Sequence, residues 1–160
     1  MAIRKIFQAD DEALHKVCKP VTEVNDRIRI LIDDLSETME KAQGVGLAAP
    51  QVGILRRVCV VDLWDGVNHY EMVNPVIKLA EGDQYGEEGC LSYDGMCGDV
   101  HRPDHVIVSC LDRNGNEVEY EGRDLLARAF CHEIDHLDGI MYMSKADNIR
   151  PVSSGEEDEE

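Results

Sequence analysis

The chain has 160 residues, enough for one hydrophobic core and too few for two domains of ordinary size. Its net charge of −17 argues against direct nucleic-acid binding, because phosphate recognition needs a basic surface. No apolar run approaches the roughly 20 residues that span a bilayer, and the N-terminus lacks the long apolar stretch of a signal peptide. We therefore expect a cytoplasmic protein without membrane contact, with its six cysteines reduced.

The first clear element in chain order is a helix over residues 25–42. Apolar residues recur there at helical spacing, Asn25 or Asp26 is the candidate N-cap, and Gly44 lies just beyond the end. This pattern predicts an amphipathic helix that packs one face on the core.

The segment 44–51 (GVGLAAPQ) follows this helix and combines small residues with one amide side chain. Structurally it is a tight loop, and it fits no phosphate-binding pattern because no Lys-Ser/Thr pair follows. Functionally, Gly46 would let a substrate lie against the main chain, and Gln51 could donate an N–H to an oxyanion.

The middle of the chain carries β-strand patterns. Runs of strand length lie at 58–61 and 106–111, and 70–73 predicts another strand that ends at Asn74-Pro75. Asn114-Gly115 predicts a hairpin turn with positive φ at both residues, joining 105–112 to 117–121. Two helices and mostly antiparallel strands predict a compact single α+β domain.

A second helix, from about Asp124 to Leu137 and closed by Gly139, carries the sequence His-Glu-Ile-Asp-His. Residues four apart lie on the same face of a helix, so His132 and His136 can reach one divalent ion. Glu133 lies beside that ion and can take the proton of a water. The string can arise by chance, but its helical context favours a metal-dependent hydrolase around a central metal-binding helix.

The third metal ligand must come from upstream of this helix. A metzincin protease would have a histidine where Tyr142 stands, and the only later glutamates lie in the acidic tail. Cys90 is the natural choice, and three ligands leave a fourth position open for water. A closed structural site that recruits Cys97 or His101 is the alternative.

Three segments together resemble the peptide deformylase family: 44–51, 88–92 (EGCLS) and 132–139 (HEIDHLDG). They occur in the family's order, and the resemblance covers nearly the whole chain outside the tail. It implies removal of the N-formyl group from the initiator methionine of new polypeptides, with release of formate. The sequence departs from the family's usual pattern at Tyr93-Asp94 and at Cys131. These departures keep one alternative open, a metallohydrolase of the family fold with an altered acyl-peptide substrate or weak activity.

The resemblance also implies roles for individual residues. The metal ligands fall on Cys90, His132 and His136, the general base and acid on Glu133, and the oxyanion donors on the Gln51 side chain and the Leu91 backbone N–H. Substrate contacts fall on Val45, Gly46, Gly89, Leu125 and Ala129, with plain core packing as the other reading of the last two. Glu88 and Arg102 resemble a supporting ion pair, with a solvated surface pair as the alternative. The expected metal is Fe²⁺, with Zn²⁺, Ni²⁺ or Co²⁺ able to substitute.

The remaining expectations concern organisation and partners. We expect a catalytic domain over 1–151 and an acidic, disordered tail over 152–160. The expected partners are N-formylmethionyl nascent peptides and, transiently, the ribosome. The acidic tail argues against ribosome docking through a basic C-terminal extension. We expect a monomer.

Overall fold

A computed structural model describes residues 2–152 of the chain. Within that range there are two α-helices, α1 (Asp26–Lys41) and α2 (Leu125–Leu137), and eight β-strands. The strands are β1 (Gly46–Ala48), β2 (Val58–Asp62), β3 (His69–Glu81), β4 (Gln84–Cys90), β5 (Tyr93–Arg102), β6 (His105–Leu111), β7 (Glu117–Arg123) and β8 (Asp147–Pro151). Short 3₁₀ helices lie at Glu12–His15, Ala49–Val52 and Tyr142–Ser144.

The strands form two sheets around α2. One has the order β1-β2-β3-β6-β7 and the other β4-β5-β8, with all neighbouring strands antiparallel. Helix α2 packs against β1, β2 and β7, and nearly all of its residues are buried. The predicted compact α+β domain of antiparallel strands around a central helix is therefore confirmed. Among the described residues, every helix is too short or too polar to pass through a bilayer.

Helix α1 lies within one residue of its predicted bounds. The Asn25 side chain accepts a hydrogen bond from the backbone N–H of Ile28 at 3.1 Å, which caps the first turn. Beyond the C-terminus, Gln43 rather than Gly44 adopts a positive φ, of 61°. Packing explains the glycine instead, since a Cβ on Gly44 would lie 2.7 Å from the Leu91 side chain.

The hairpin between β6 and β7 is confirmed, but the predicted turn geometry is wrong. Only Gly115 of the Asn114-Gly115 pair has a positive φ, of 81°. The backbone N–H of Asp112 donates to the carbonyl of Asn116 at 2.9 Å, so the loop is longer than two residues. The Asp112 carboxylate accepts from the N–H groups of Asn114 and Asn116, which stabilises this longer loop.

Strand β3 does not end at Asn74-Pro75 as predicted, and continues to Glu81. The register with β6 shifts between Val73 and Val76, and this bulge accommodates the proline, which cannot donate to the ladder. The Asn74 side chain also exchanges two hydrogen bonds with the backbone of Val21, at 2.8 and 2.9 Å. These bonds tie the N-terminal segment to the sheet. Residues 153–160, most of the predicted tail, lie outside the described residues.

Candidate metal centre and active-site pocket

Helix α2 holds the two histidines of the predicted site. It begins after Asp124, whose φ is 53°, and ends before Gly139, whose φ is 76°. A Cβ on Gly139 would lie 2.8 Å from the backbone of His15, so chain geometry and packing both favour glycine at the helix end. His132 and His136 are buried, with ring centroids 5.0 Å apart.

Cys90 meets these histidines at the last residue of β4. Its Sγ lies 3.3 Å from Nε2 of His136, and one ligand atom from each of Cys90, His132 and His136 lies within 4.8 Å of the other two. Ligands of one tetrahedral ion are separated by about 3.5 Å, given bonds of roughly 2.0–2.3 Å. The three donors therefore fit a single divalent cation, and one thiolate with two imidazoles suits several transition metals.

Glu88 orients His132 from the side opposite the cluster. Nδ1 of His132 donates to Glu88 Oε1 at 2.8 Å, which leaves Nε2 as the ligand atom. Burial would raise the pKa of Glu88, but its hydrogen bonds from His132 and Arg102 outweigh burial and hold the pKa well below the usual range. Burial lowers the pKa of His136, which favours the neutral imidazole that metal ligation requires. Burial acts in the same direction on His132, but its hydrogen bonds with Cys90 and Glu88 outweigh burial and raise its pKa.

Two arginines complete the environment of Glu88. Arg102 donates from Nε and Nη2 to the carboxylate at 2.8 and 3.0 Å, and Arg128 Nη1 adds a bond at 2.8 Å. Nη1 of Arg102 also reaches Asp135 at 2.7 Å, on the turn of α2 that carries His136. Glu88 and Arg102 thus form a buried ion pair beside the site, rather than a solvated surface pair.

Glu133 lies on α2 beside the three candidate metal ligands, and few groups around it can form hydrogen bonds with its carboxylate. It is buried, and its Oε1 has no hydrogen-bond partner within the described residues. Burial raises its pKa to about 7. The carboxyl group packs on Gly46, and a Cβ at that position would overlap it. The missing side chain of Gly46 therefore makes room for Glu133, which spacing along the chain did not reveal.

Gln51 approaches Cys90 from the 3₁₀ helix that follows β1. Its Oε1 accepts from the Ala48 N–H at 2.9 Å, and Nε2 donates to Ser92 Oγ at 3.0 Å. The same Nε2 lies 3.5 Å from Cys90 Sγ, so its second N–H is close to the candidate metal ligands. Sequence reasoning did not single out Ser92, because its contact with Gln51 spans 41 positions of the chain.

A cavity of about 380 Å³ opens onto these groups. Its lining includes all five predicted substrate-contact residues, Val45, Gly46, Gly89, Leu125 and Ala129, together with Cys90, Leu91, His132 and Glu133. Val45 and Leu125 are exposed at its mouth, whereas Ala129 is buried. Asp94, Met96 and Arg128 also line the cavity and were not predicted to do so.

The closed structural site is not formed in the described part of the chain. His101 is exposed and its ring Nδ1 lies 3.0 Å from the Asp83 carboxylate, and Cys97 does not belong to the group of Cys90, His132 and His136. The Tyr142 ring stacks on His132 with centroids 5.8 Å apart, so it packs against the cluster. All six cysteines are free in the structure.

Comparison with known proteins agrees with this geometry. The family model for polypeptide deformylase matches residues 3–152. A peptide deformylase of Symbiobacterium thermophilum is 54% identical over 100% of this chain and 75% of its own length, and one of Thermoanaerobacter pseudethanolicus is 52% identical over 91% of each.

Solved structures show the same fold. A peptide deformylase from Legionella pneumophila aligns with a TM-score of 0.87 and 41% identity, covering 91% of this chain and 87% of the other. A peptide deformylase from Ehrlichia chaffeensis, in complex with actinonin, aligns with a TM-score of 0.89 and 35% identity, covering 92% of this chain and 91% of the other. The family match, the sequence identities and the shared fold together show that this chain belongs to the peptide deformylase family.

Proposed function

We propose that this chain removes the N-formyl group from the N-terminal methionine of newly made polypeptides and releases formate. One observation carries the proposal. The cluster of Cys90, His132 and His136 shares a cavity with a buried carboxylate, Glu133, one oxygen of which has no partner in the described residues. A buried base beside a three-ligand metal site is one arrangement that can hydrolyse an unactivated amide.

Cys90, His132 and His136 would hold one divalent cation, for which we propose Fe²⁺, with Zn²⁺, Ni²⁺ or Co²⁺ as substitutes. When bound, the cation supplies Lewis-acid polarisation of a carbonyl oxygen and a lower pKa for water. The neutral His136 and the Glu88-oriented His132 are the protein's own contribution to that site.

Glu133 moves the proton in the proposed reaction. With a pKa raised to about 7 by burial, its carboxylate can accept a proton from the attacking water and return it to the leaving amine near neutral pH. The Gln51 Nε2–H close to Cys90 and the Leu91 backbone N–H would donate to the oxyanion. Leu91 is held between Gly44, which its side chain contacts, and Gln8, whose amide donates to its carbonyl at 3.0 Å.

The peptide would bind in an extended conformation between two strand edges. Strand β1 is the edge of the larger sheet and β4 is the edge of the smaller one, and both contribute to the cavity lining. Edge strands leave backbone groups free to pair with an added strand. Val45, Gly46 and Gly89 would bind the peptide backbone, and Leu125 and Ala129 would contact the methionine side chain.

We further propose a cytoplasmic monomer that meets nascent chains during transient ribosome contact, with a catalytic domain over 1–151 and an acidic tail over 152–160. The alternative of an altered acyl-peptide substrate has no support in the relatives. Of the departures that motivated it, Cys131 packs in the hydrophobic core and only Asp94 lines the cavity.

The test is formate release from a formyl-Met-Ala-Ser peptide by anaerobically purified protein loaded with Fe²⁺ or Ni²⁺. We expect rapid release that chelation abolishes and that Glu133→Ala lowers by about 10²–10⁴-fold at unchanged metal content. Glu119→Ala, on the exposed side of β7, is the matched control and should retain full activity. No release by the metal-loaded protein, or unchanged turnover in Glu133→Ala, would refute the proposal.

A further inference from the structure

Arg128 is a buried cation on the face of α2 that borders the cavity. It lies four residues before His132 and three after Leu125, so it shares a helix face with both. Its side chain is only 8% exposed. Arg128 is the single lysine or arginine in the cavity lining, counted over the described part of the chain. It lies between the apolar side chains of Leu125 and Ala129 and the carboxylate of Glu88, all of which line the same cavity.

Gly86 on β4 provides the space for this guanidinium. A Cβ at position 86 would lie 3.3 Å from Nη2 of Arg128 and 3.8 Å from its Cζ. The φ of Gly86 is not in the left-handed region, so backbone conformation does not require a glycine there. A side chain at position 86 would instead press on the guanidinium, which would have to shift by a few tenths of an ångström.

The hydrogen bonds of Arg128 are unevenly distributed over its three nitrogens. Nη1 donates to Glu88 Oε2 at 2.8 Å, to the Val100 carbonyl at 3.1 Å and to the Gly86 carbonyl at 3.3 Å. Nη2 has one long contact, 3.4 Å to Gln84 Oε1, and Nε makes no hydrogen bond to any residue in 2–152. The guanidinium is therefore anchored through Nη1, with donor capacity left on its other nitrogens.

We propose that Arg128 is a specificity-determining residue that forms the polar end of the methionine side-chain pocket. Its free N–H groups donate to an acceptor at the end of the substrate's first side chain. That acceptor is the thioether sulfur of methionine or, more strongly, the oxygen of methionine sulfoxide. This inference rests on the proposed deformylase function and names the side-chain chemistry that its pocket selects.

Norleucine isolates the contribution of this contact. It replaces the methionine sulfur by a methylene group, so it keeps the length of the side chain and removes the acceptor. A site that presents donors discriminates against an analogue that leaves them unpaired. Because sulfur is a weak acceptor, we expect kcat/KM for formyl-Met to exceed that for formyl-norleucine by about 3- to 10-fold, the range of one modest hydrogen bond.

The experiment compares three peptides, formyl-Met-Ala-Ser and its norleucine and methionine sulfoxide analogues, with the Ni²⁺-loaded wild type and Arg128→Met. The substitution keeps an unbranched side chain and removes every donor. In the variant, we expect the kcat/KM for the methionine peptide divided by that for the norleucine peptide to fall to about 1. The kcat/KM for the sulfoxide peptide should fall by about tenfold or more relative to that for the methionine peptide. Arg123→Met, at an exposed arginine just before α2, is the control and should keep all three wild-type ratios.

Ratios between substrates are the decisive readout, because Arg128→Met also removes a donor to Glu88 and will lower metal affinity and overall rate together. The wild type alone also tests the inference, so it does not depend on the folding of the variant. Equal kcat/KM for methionine and norleucine in the wild type, or unchanged ratios in Arg128→Met, would overturn the role of Arg128 and leave the deformylase function standing. Absence of formate release from formyl-Met by the wild type would instead refute the function itself.

Discussion

Gly46→Ala tests how closely the candidate base is held against β1. The added Cβ would lie 2.7 Å from Cδ and 2.9 Å from Cγ of Glu133, whereas ordinary contact begins at 3.4 Å. The carboxyl group must therefore move by about 0.7 Å at Cδ, the difference between 3.4 and 2.7 Å. The φ of Gly46 is not left-handed, so alanine introduces no backbone strain and the effect arises from this contact.

A displacement of this size acts on both rate and stability. Misplacing a catalytic group by about 1 Å can cost 10²-fold, so we expect kcat/KM to fall by roughly 30- to 100-fold, equivalent to about 2–3 kcal/mol. Adding a methyl group to a close-packed site typically costs about 1–3 kcal/mol of unfolding free energy. Both losses have the same origin, the overlap with the Glu133 side chain.

Formate release and denaturant unfolding at fixed metal content measure the two effects. A double-mutant cycle supplies the control, because Glu133→Ala removes the atoms that the new methyl group meets. Gly46→Ala should then cost little stability in the Glu133→Ala background. An equal stability loss in both backgrounds, or activity within about threefold of wild type in the single variant, would refute the reasoning.

Three further predictions concern the surroundings of the site and the sheet. Gln51→Ala should lower kcat by about 10²–10³-fold at unchanged metal content, measured by steady-state formate release, and a loss of less than about tenfold would exclude Gln51 as an oxyanion donor. Glu88→Gln replaces the carboxylate that orients His132 by a neutral amide, so the affinity for the metal should fall by about 10–100-fold, measured in competition with a chelator. An unchanged metal affinity would contradict this role of Glu88. Burial alone would raise the pKa of Glu71, but hydrogen bonds led by those from Arg113 lower it below its usual 4.5. Glu71 thus stabilises the fold above about pH 4.5 and loses this effect as pH falls through its lowered pKa, so the stability deficit of Glu71→Gln should be present at pH 7 and shrink in acid; a deficit independent of pH would count against the ion pair.

Segments whose signals are local were predicted well. Helix α1 carries its own apolar period and its own cap at Asn25, so its bounds differ from the prediction by one residue. The β6–β7 hairpin was predicted from two strand-like runs flanking Asn114-Gly115, although the Asp112 side chain changed the turn geometry. Such features depend on residues within about five positions of one another.

Strands β1, β4, β5 and β8 were not predicted, and β1 lies in the segment 44–51 that was predicted to be a tight loop. β4 and β5 are rich in glycine and charged residues, which are poor strand formers in isolation. Pairing with each other, and packing beside α2, makes them strands, since β propensity largely reflects the neighbours a strand acquires. The extension of β3 through Pro75 has a similar origin, because a bulge in its pairing with β6 accommodates the proline.

The amino-acid sequence by itself determined which groups are the candidates for metal binding and proton transfer. The spacing of His132 and His136, the position of Glu133 beside them and the need for an upstream third ligand follow from helix geometry and ligand chemistry, and Cys90 is the natural choice for that ligand. Only the tertiary structure decided what surrounds them: Glu133 against Gly46, Gln51 on Ser92, and Arg128 over Gly86 and bonded to Glu88. These contacts join residues about 40 to 90 positions apart, and no periodicity along a chain encodes them. They arise when two sheets close around one helix and each buried polar group must find a partner in the space that remains.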